Sequence, residues 1–341
     1  MKSMRGFSLI ELLVAMAIGL IIVFALTVII TRTSATQREL ALANRQLENG
    51  RYALQAIADD LHNAGYIGPV ASIPVAAGIP DVCSTGTAAP AEFLKALDVG
   101  VFPLAVRPSC IDAANHVAGT DILAVVHASS LPTPVSPNPS LVPGTITGLT
   151  ENVLYTQTDT QTVKVAVGSG DATTDGNTFA LVNKDLVTRA DIRQLQVYIY
   201  YVSPCNRPAS GTTCTSAADG GQPIPTLRRM ALNGASFDTQ PIAEGIENLQ
   251  IELGLDNISN DGAPDQYTAY STANPSQADL MSATAVGVHL LARNTERTVG
   301  FTDTKNYSLG ATNVAAANDA YKRHVFSRVI RLNNISGRRA S

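Results

Sequence analysis

From Phe7 to Ile30 almost every position is apolar, reading FSLIELLVAMAIGLIIVFALTVII, and Glu11 is the single charge in the run. A helix of roughly 24 residues rises about 36 Å, enough to cross a hydrocarbon core of about 30 Å with some tilt. Arg32 closes the run at the interface. Beyond it the chain turns polar without losing helical character. Leu40, Leu47, Leu54 and Leu61 recur at a seven-residue interval, with Ala43, Gly50, Ile57 and Ala64 between them. That spacing predicts one apolar stripe along a continuous helix. Ala and Gly fill half of the seam, which suits a face laid on a sheet better than a coiled coil. Gly65 and the pair Gly68-Pro69 supply a stop, so the helix is expected over about 7–64, roughly 85 Å long.

Downstream the period shortens to two. Strands are expected at Asp121–His127, Thr162–Val167, Gln194–Val202, Ile246–Leu253, Ala285–Leu291 and Tyr321–Leu332. Between them lie stretches rich in Pro, Ser, Thr, Asn and Gly at 68–92, 128–150, 204–225 and 257–280; within these only 275–283 suggests a short helix. The chain has no internal repeat. One long helix followed by mostly antiparallel strands is an α+β arrangement.

The 341 residues carry a formal charge of −4, and 15% of them are charged. Such a balance offers no polyanion footprint, so nucleic acid is not expected as the main ligand. Cys83, Cys110, Cys205 and Cys214 all lie downstream of the apolar run, without a CxxC pair or a histidine at ligand spacing. An even count in an exported domain favours two disulfides over a zinc site. Sequence order favours Cys83–Cys110 and Cys205–Cys214, each pair bracketing its own loop, although four cysteines allow three connectivities.

Three ordinary readings of the N-terminus leave something over. A cleaved secretory signal has a shorter apolar stretch; Ala15-Met16-Ala17 mimics its cleavage site, but the apolar run continues past it. A plain anchor has no use for Glu11, and a buried core helix needs no basic leader. A carboxylate inside a spanning helix costs roughly 2.5–3.5 kcal/mol, which marks Glu11 as functional. Its natural partner is an α-amino group exposed by cleavage after Gly6, since a matched pair is tolerated where a lone charge is not.

The run Gly6-Phe7-Ser8-Leu9-Ile10-Glu11-Leu12-Leu13-Val14 closely resembles the signature of class III prepilins. The resemblance implies peptidase cleavage after Gly6, methylation of Phe7, and pairing of Glu11 with the Phe7 amine of a neighbouring subunit. It divides the chain into a leader at 1–6, a membrane or filament-core helix at 7–31, an amphipathic continuation at 32–65 and a β-rich periplasmic head at 66–341. Lys2 and Arg5 suit a cytoplasmic leader. Val28 stands where many major pilins carry a helix-kinking proline.

Three later segments, AEGIENLQIELGLD, the aliphatic strand before NTERT, and KRHVFSRVIRLNN, resemble the large minor pilins of the PilW group. Those in turn resemble the J-type pseudopilin of type II secretion. The resemblance implies a structural protein without a cofactor, not an enzyme. It would sit in the inner membrane by a single span before assembly and at the pilus tip afterwards. Its partners would be other minor pilins, the major pilin, the prepilin peptidase, the inner-membrane assembly platform and a pilus-tip adhesin. Twitching motility, adhesion or DNA uptake would lie downstream. The rival readings are the pseudopilin and a membrane-anchored periplasmic enzyme.

Little else in the chain suggests chemistry. Asn257, Ser259, Asp261 and Asp265 around Gly262 form a weak calcium-loop candidate, with Thr268 where a bidentate Glu belongs. His62, His116, His127, His289 and His324 are scattered, and no nucleophile is placed near a base. Arg228, Arg229, Arg323, Arg328, Arg331, Arg338 and Arg339 are expected to form a solvated face.

Overall fold

The structure is a computed structural model that describes residues 9–70, 73, 78–270 and 273–339, with the side chains of Arg338 and Arg339 outside the description. Helix α1 spans Leu9–Asn63, and Gly65 ends it with a φ of 69°, a conformation that glycine adopts without steric cost.

Thirteen strands follow among the described residues. β1 (Val101–Leu104), β2 (Ile122–Ala128), β3 (Leu154–Thr158), β4 (Val163–Val167), β5 (Ile192–Ser203), β6 (Thr226–Asn233) and β7 (Ser236–Glu244) form a seven-stranded sheet. β5 is its hub, pairing antiparallel with β2, β3 and β6. β8 (Ile246–Leu255), β9 (Gln266–Ala269), β10 (Ala283–Arg293) and β13 (Arg323–Arg331) form a second antiparallel sheet in the order β13-β10-β8-β9. β11 (Tyr307–Leu309) and β12 (Thr312–Val314) make a separate hairpin. The fold is α+β, and its head holds two main sheets.

The six expected strands are present within one to two residues at most ends. β1, β3, β6, β7, β9, β11 and β12 are additional. β7, reading SFDTQPIAE, is an exposed edge strand containing Pro241, and its polarity hides it from any alternation test. β1 is only four residues long and fully buried, so it shows no alternation either. β9 falls inside a stretch expected to be loop, and the short helix expected over 275–283 is Gln277–Ser282, opened by a Ser276–Asp279 capping box.

One apolar core joins α1 to both sheets, packing Ala53, Ile57 and Leu61 with Val125 and Ile199 of the first sheet and Leu249, Val288 and Ile330 of the second. The seven-residue leucine stripe is corrected at its N-terminal end. Leu61 is fully buried, Leu54 nearly so and Leu47 partly, whereas Leu40 is 59% exposed. An α-helix turns every 3.6 residues, so a strict heptad drifts by about 20° per repeat and rolls off a flat partner. The buried line instead runs Leu42, Gln46, Gly50, Ala53, Ile57 and Leu61.

At Gly50 the helix lies against the sheet with no room for a side chain. A Cβ added there would lie 2.2 Å from the ring of Phe326 on β13. Gly50→Ala should therefore lower stability by about 1–3 kcal/mol in thermal unfolding, as overpacking does. Phe326→Leu in the same chain should recover part of that loss, because the obstructing ring is gone.

Asp121 ties the sheets together. Its N–H donates to the Leu249 carbonyl (2.9 Å), and its carboxylate accepts from the N–H of Ile251 (2.8 Å). Burial pushes this carboxyl up to about 6, against the smaller opposing effect of the Ile251 hydrogen bond. The folded chain thus keeps a proton that the unfolded chain releases near pH 4. The stability it contributes is complete at low pH and falls as pH climbs from about 4 to about 6, by roughly 2–3 kcal/mol. Asp121→Asn retains an acceptor without the charge and should remove that fall in denaturant midpoints measured across the window.

Candidate assembly surface

The two halves of α1 meet different surroundings. From Leu9 to Ile30 the large apolar side chains other than Val28 are exposed, Leu9 by 79%, Leu20 by 70% and Phe24 by 73%. The most apolar 18-residue window of α1 has a mean hydropathy of 3.1 and none of it is buried. Its polar groups are satisfied within the helix. Thr27 donates to the Val23 carbonyl (2.8 Å) and Thr31 to that of Val28 (3.0 Å), so neither hydroxyl needs another partner in hydrocarbon. Glu11 lies in the first described turn, on this uncovered helix. Gly6 and Phe7 lie outside the described residues.

Contact with the head begins at Arg38, which pairs with Glu296. Glu39 follows, accepting from Lys322 (2.6 Å) and Thr298 (3.2 Å). Gln46 donates to the carbonyls of Ala292 (2.7 Å) and Lys322 (3.0 Å), and Asn49 to that of Glu244 (3.0 Å). Near the helix end Tyr200 donates to Asp60 and to the Ala56 carbonyl, while Arg229 lies 3.5 Å from Asp60 and over the Tyr198 ring. Burial raises the Asp60 carboxyl, and the Tyr200 hydroxyl and Arg229 offset only part of that rise. Asn334 closes the terminus by donating to the carbonyls of His62 and Ala64. The free carbonyls of a helix end need such a donor when buried.

Cys83 is joined to Cys110 and Cys205 to Cys214, the pairs favoured by sequence order. The candidate calcium loop is a hydrogen-bonded turn. Asp265 accepts from the N–H groups of Asn257, Ile258 and Ser259 and from the Ser259 hydroxyl. Asp261 accepts from Ala263, and Asp256 from Gly262. The backbone donors, Ile258 first, hold the Asp265 carboxyl below its ordinary value. No group of three or more His, Cys, Asp or Glu side chains is gathered for a metal among the described residues.

Two expectations about charged and polar groups are corrected. Of the arginines expected on a solvated face, Arg328 and Arg331 are exposed, but Arg228, Arg229 and Arg323 are drawn into the head. The Arg323 side chain is only 4% exposed and is shared among Glu247, Asp303 and Asp319. Burial opposes its charge, but hydrogen bonds to Asp319 and Glu247 outweigh that and hold the guanidinium above its ordinary value. Arg228 donates to the Cys205 and Asn206 carbonyls, and Arg331 to Ser336. A serine also sits beside a histidine. His289 on β10 lies opposite Ser327 on β13, with Nδ1 2.9 Å from its hydroxyl, and Nε2 lies 3.2 Å from Glu252 on β8. Sequence spacing carries no trace of this row, because strand register alone brings it together. Ser327 stands exposed on the sheet face.

Each disulfide closes one long loop. Separations of 27 and 9 residues correspond to roughly 3–4 and 2–3 kcal/mol of loop-closure stabilisation. The Cys83→Ser, Cys110→Ser pair should therefore lower the unfolding midpoint more than the Cys205→Ser, Cys214→Ser pair, as read by urea denaturation.

Residues 1–27 match the family model described as the prokaryotic N-terminal methylation motif. Residues 200–334 match that of type IV pilus-assembly protein W. The second match starts within β5 and takes in the whole β13-β10-β8-β9 sheet, including the residues on which α1 sits. Among solved structures, a type IV-like pilin from Thermus thermophilus is similar at 12% identity and a TM-score of 0.34, over 85% of this chain and 95% of that one. No curated protein sequence matches the chain. With a methylation motif opening α1 and a pilus-assembly sequence forming its seat, the chain is similar to type IV pilins over its N-terminus and to type IV pilus-assembly protein W over the sheet on which α1 sits.

Proposed function

We propose that the protein is a minor pilin that is built into a type IV pilus and primes its assembly. The observation that carries this reading is the division of α1. Its first half is apolar and has no cover from the head, while its second half is fastened across both sheets. An uncovered apolar surface of that length requires a partner. Lipid supplies it before assembly, with the head on the periplasmic side. Neighbouring helices supply it in the filament core.

Cleavage after Gly6 frees the Phe7 amine, which is methylated and pairs with Glu11 of a neighbouring subunit. The pairing offsets the cost of a carboxylate in a low-dielectric core. A head of this size, with long loops, suits a tip position among a few minor pilins better than a repeated place in the shaft. Its partners are then the other minor pilins, the major pilin, the prepilin peptidase and the assembly platform, with motility, adhesion or DNA uptake downstream.

Deleting the gene and imaging surface filaments tests this, with Glu11→Ala alongside. Loss or strong reduction of pili is expected in both. Normal pili in both, with a defect in protein secretion, would instead assign the chain to a type II secretion machine.

A further inference from the structure

The contacts of α1 order the head along the helix axis. Gln55 meets Arg328, Gly50 meets Phe326, and Gln46 reaches Ala292 and Lys322. Below these, Glu39 meets Lys322 and Thr298, and Arg38 meets Glu296. β13 therefore climbs beside α1 while β10 descends. The loop after β10, residues 294–300, lies against the earliest helix residues that touch the head.

That level can be compared with a bilayer. Arg38 follows Arg32 by six residues, about 9 Å along the axis. The headgroup layer adds about 5–8 Å to the hydrocarbon on each side. With the apolar run spanning the hydrocarbon and Arg32 at its edge, residues 296–300 are held at the outer margin of the headgroups.

The loop is shaped for that place. Thr298 is buried against Glu39, which turns its neighbours outward. Val299 is 99% exposed, and Arg297 and Gly300 beside it are exposed too. Arg32 is also exposed, and the Arg38 side chain is 70% exposed. The result is an apolar tip bordered by guanidinium groups, with Glu296 already engaged by Arg38.

We infer that the Arg297–Gly300 turn is a second membrane contact, resting on an anionic lipid surface while the protein is anchored. Val299 enters the headgroup layer, and Arg297, Arg38 and Arg32 meet lipid phosphates. Continuity with the spanning helix and complementary charge select a lipid surface as the occupant. The contact would fix the tilt and rotation of the head before extraction, and it is small enough to release when the helix leaves the bilayer. The inference rests on the membrane-anchored reading of α1.

The chain contains no tryptophan, so Val299→Trp provides a single fluorescent reporter. The full chain is reconstituted in phosphatidylcholine–phosphatidylglycerol vesicles, with and without brominated acyl chains. Ile258→Trp serves as the control, 77% exposed in the turn whose Gly262 carbonyl meets Arg331 at the other end of β13. Emission from Val299→Trp should shift to the blue and fall to roughly half with brominated lipid, as for an interfacial aromatic, while Ile258→Trp stays unchanged. Adding Arg297→Glu should abolish most of that quenching. Equal quenching at the two positions, or none at Val299→Trp in a chain that floats with vesicles, overturns the inference alone. A chain that fails to float overturns the anchored reading and the inference with it.

Discussion

A single helix has to satisfy two surroundings, and the seat of its second half on the head makes that workable. With the first half of α1 uncovered by protein, everything that positions the head relative to it must come from Arg38 onward. Two kinds of contact share the task. Small residues bring the helix close, with Gly50 lying flat on the Phe326 ring and Ala53 and Ala58 buried without bulk. Amides at Gln46 and Asn49 then tie it to strand carbonyls on β10 and β7. Apolar contact gives area without direction, whereas the amide bonds fix register along the axis. The helix and both sheets consequently behave as one packed unit.

The head has few aromatic residues and long connections, and it holds each connection with a polar or covalent node. Arg189, only 5% exposed, donates to the carbonyls of Leu141, Gly144, Gly176 and Phe179 and so gathers the excursion between β2 and β5. Asp265 gathers the turn between β8 and β9, and Arg323 draws in the segment holding Asp303 and Asp319. The two disulfides close the loops at 83–110 and 205–214. At Arg189 and Arg323 a buried charge is tolerated because it is surrounded by partners, and truncating a partner would leave it uncompensated. This explains why Arg323, which looks like part of a basic face in the sequence, is structural in the fold.

The opening helix was legible because its signals are local. An apolar run, one carboxylate at a set distance from a glycine, and a stop at Gly65 need no tertiary context. The six apolar strands were legible for the same reason, since β-branched alternation marks strands buried on one or both faces. β7 and β9 were not, because edge strands with polar side chains owe their conformation to a neighbour's hydrogen bonds and not to their own pattern. The leucine heptad misled at Leu40, where the periodicity of sequence and the periodicity of a helix part company.

By itself, the sequence determined that the chain begins with a prepilin-type helix and continues into a β-rich head, because both follow from patterns a few residues long. Only the tertiary structure decided that the head has two sheets joined by Asp121, and that Arg323 is buried among three carboxylates. It also decided that His289 stands between Ser327 and Glu252 and that Val299 lies at the level where α1 enters the head. Each of these depends on strand register and on contacts between residues far apart in the chain. Such contacts are set by how the core packs, and no local pattern records them.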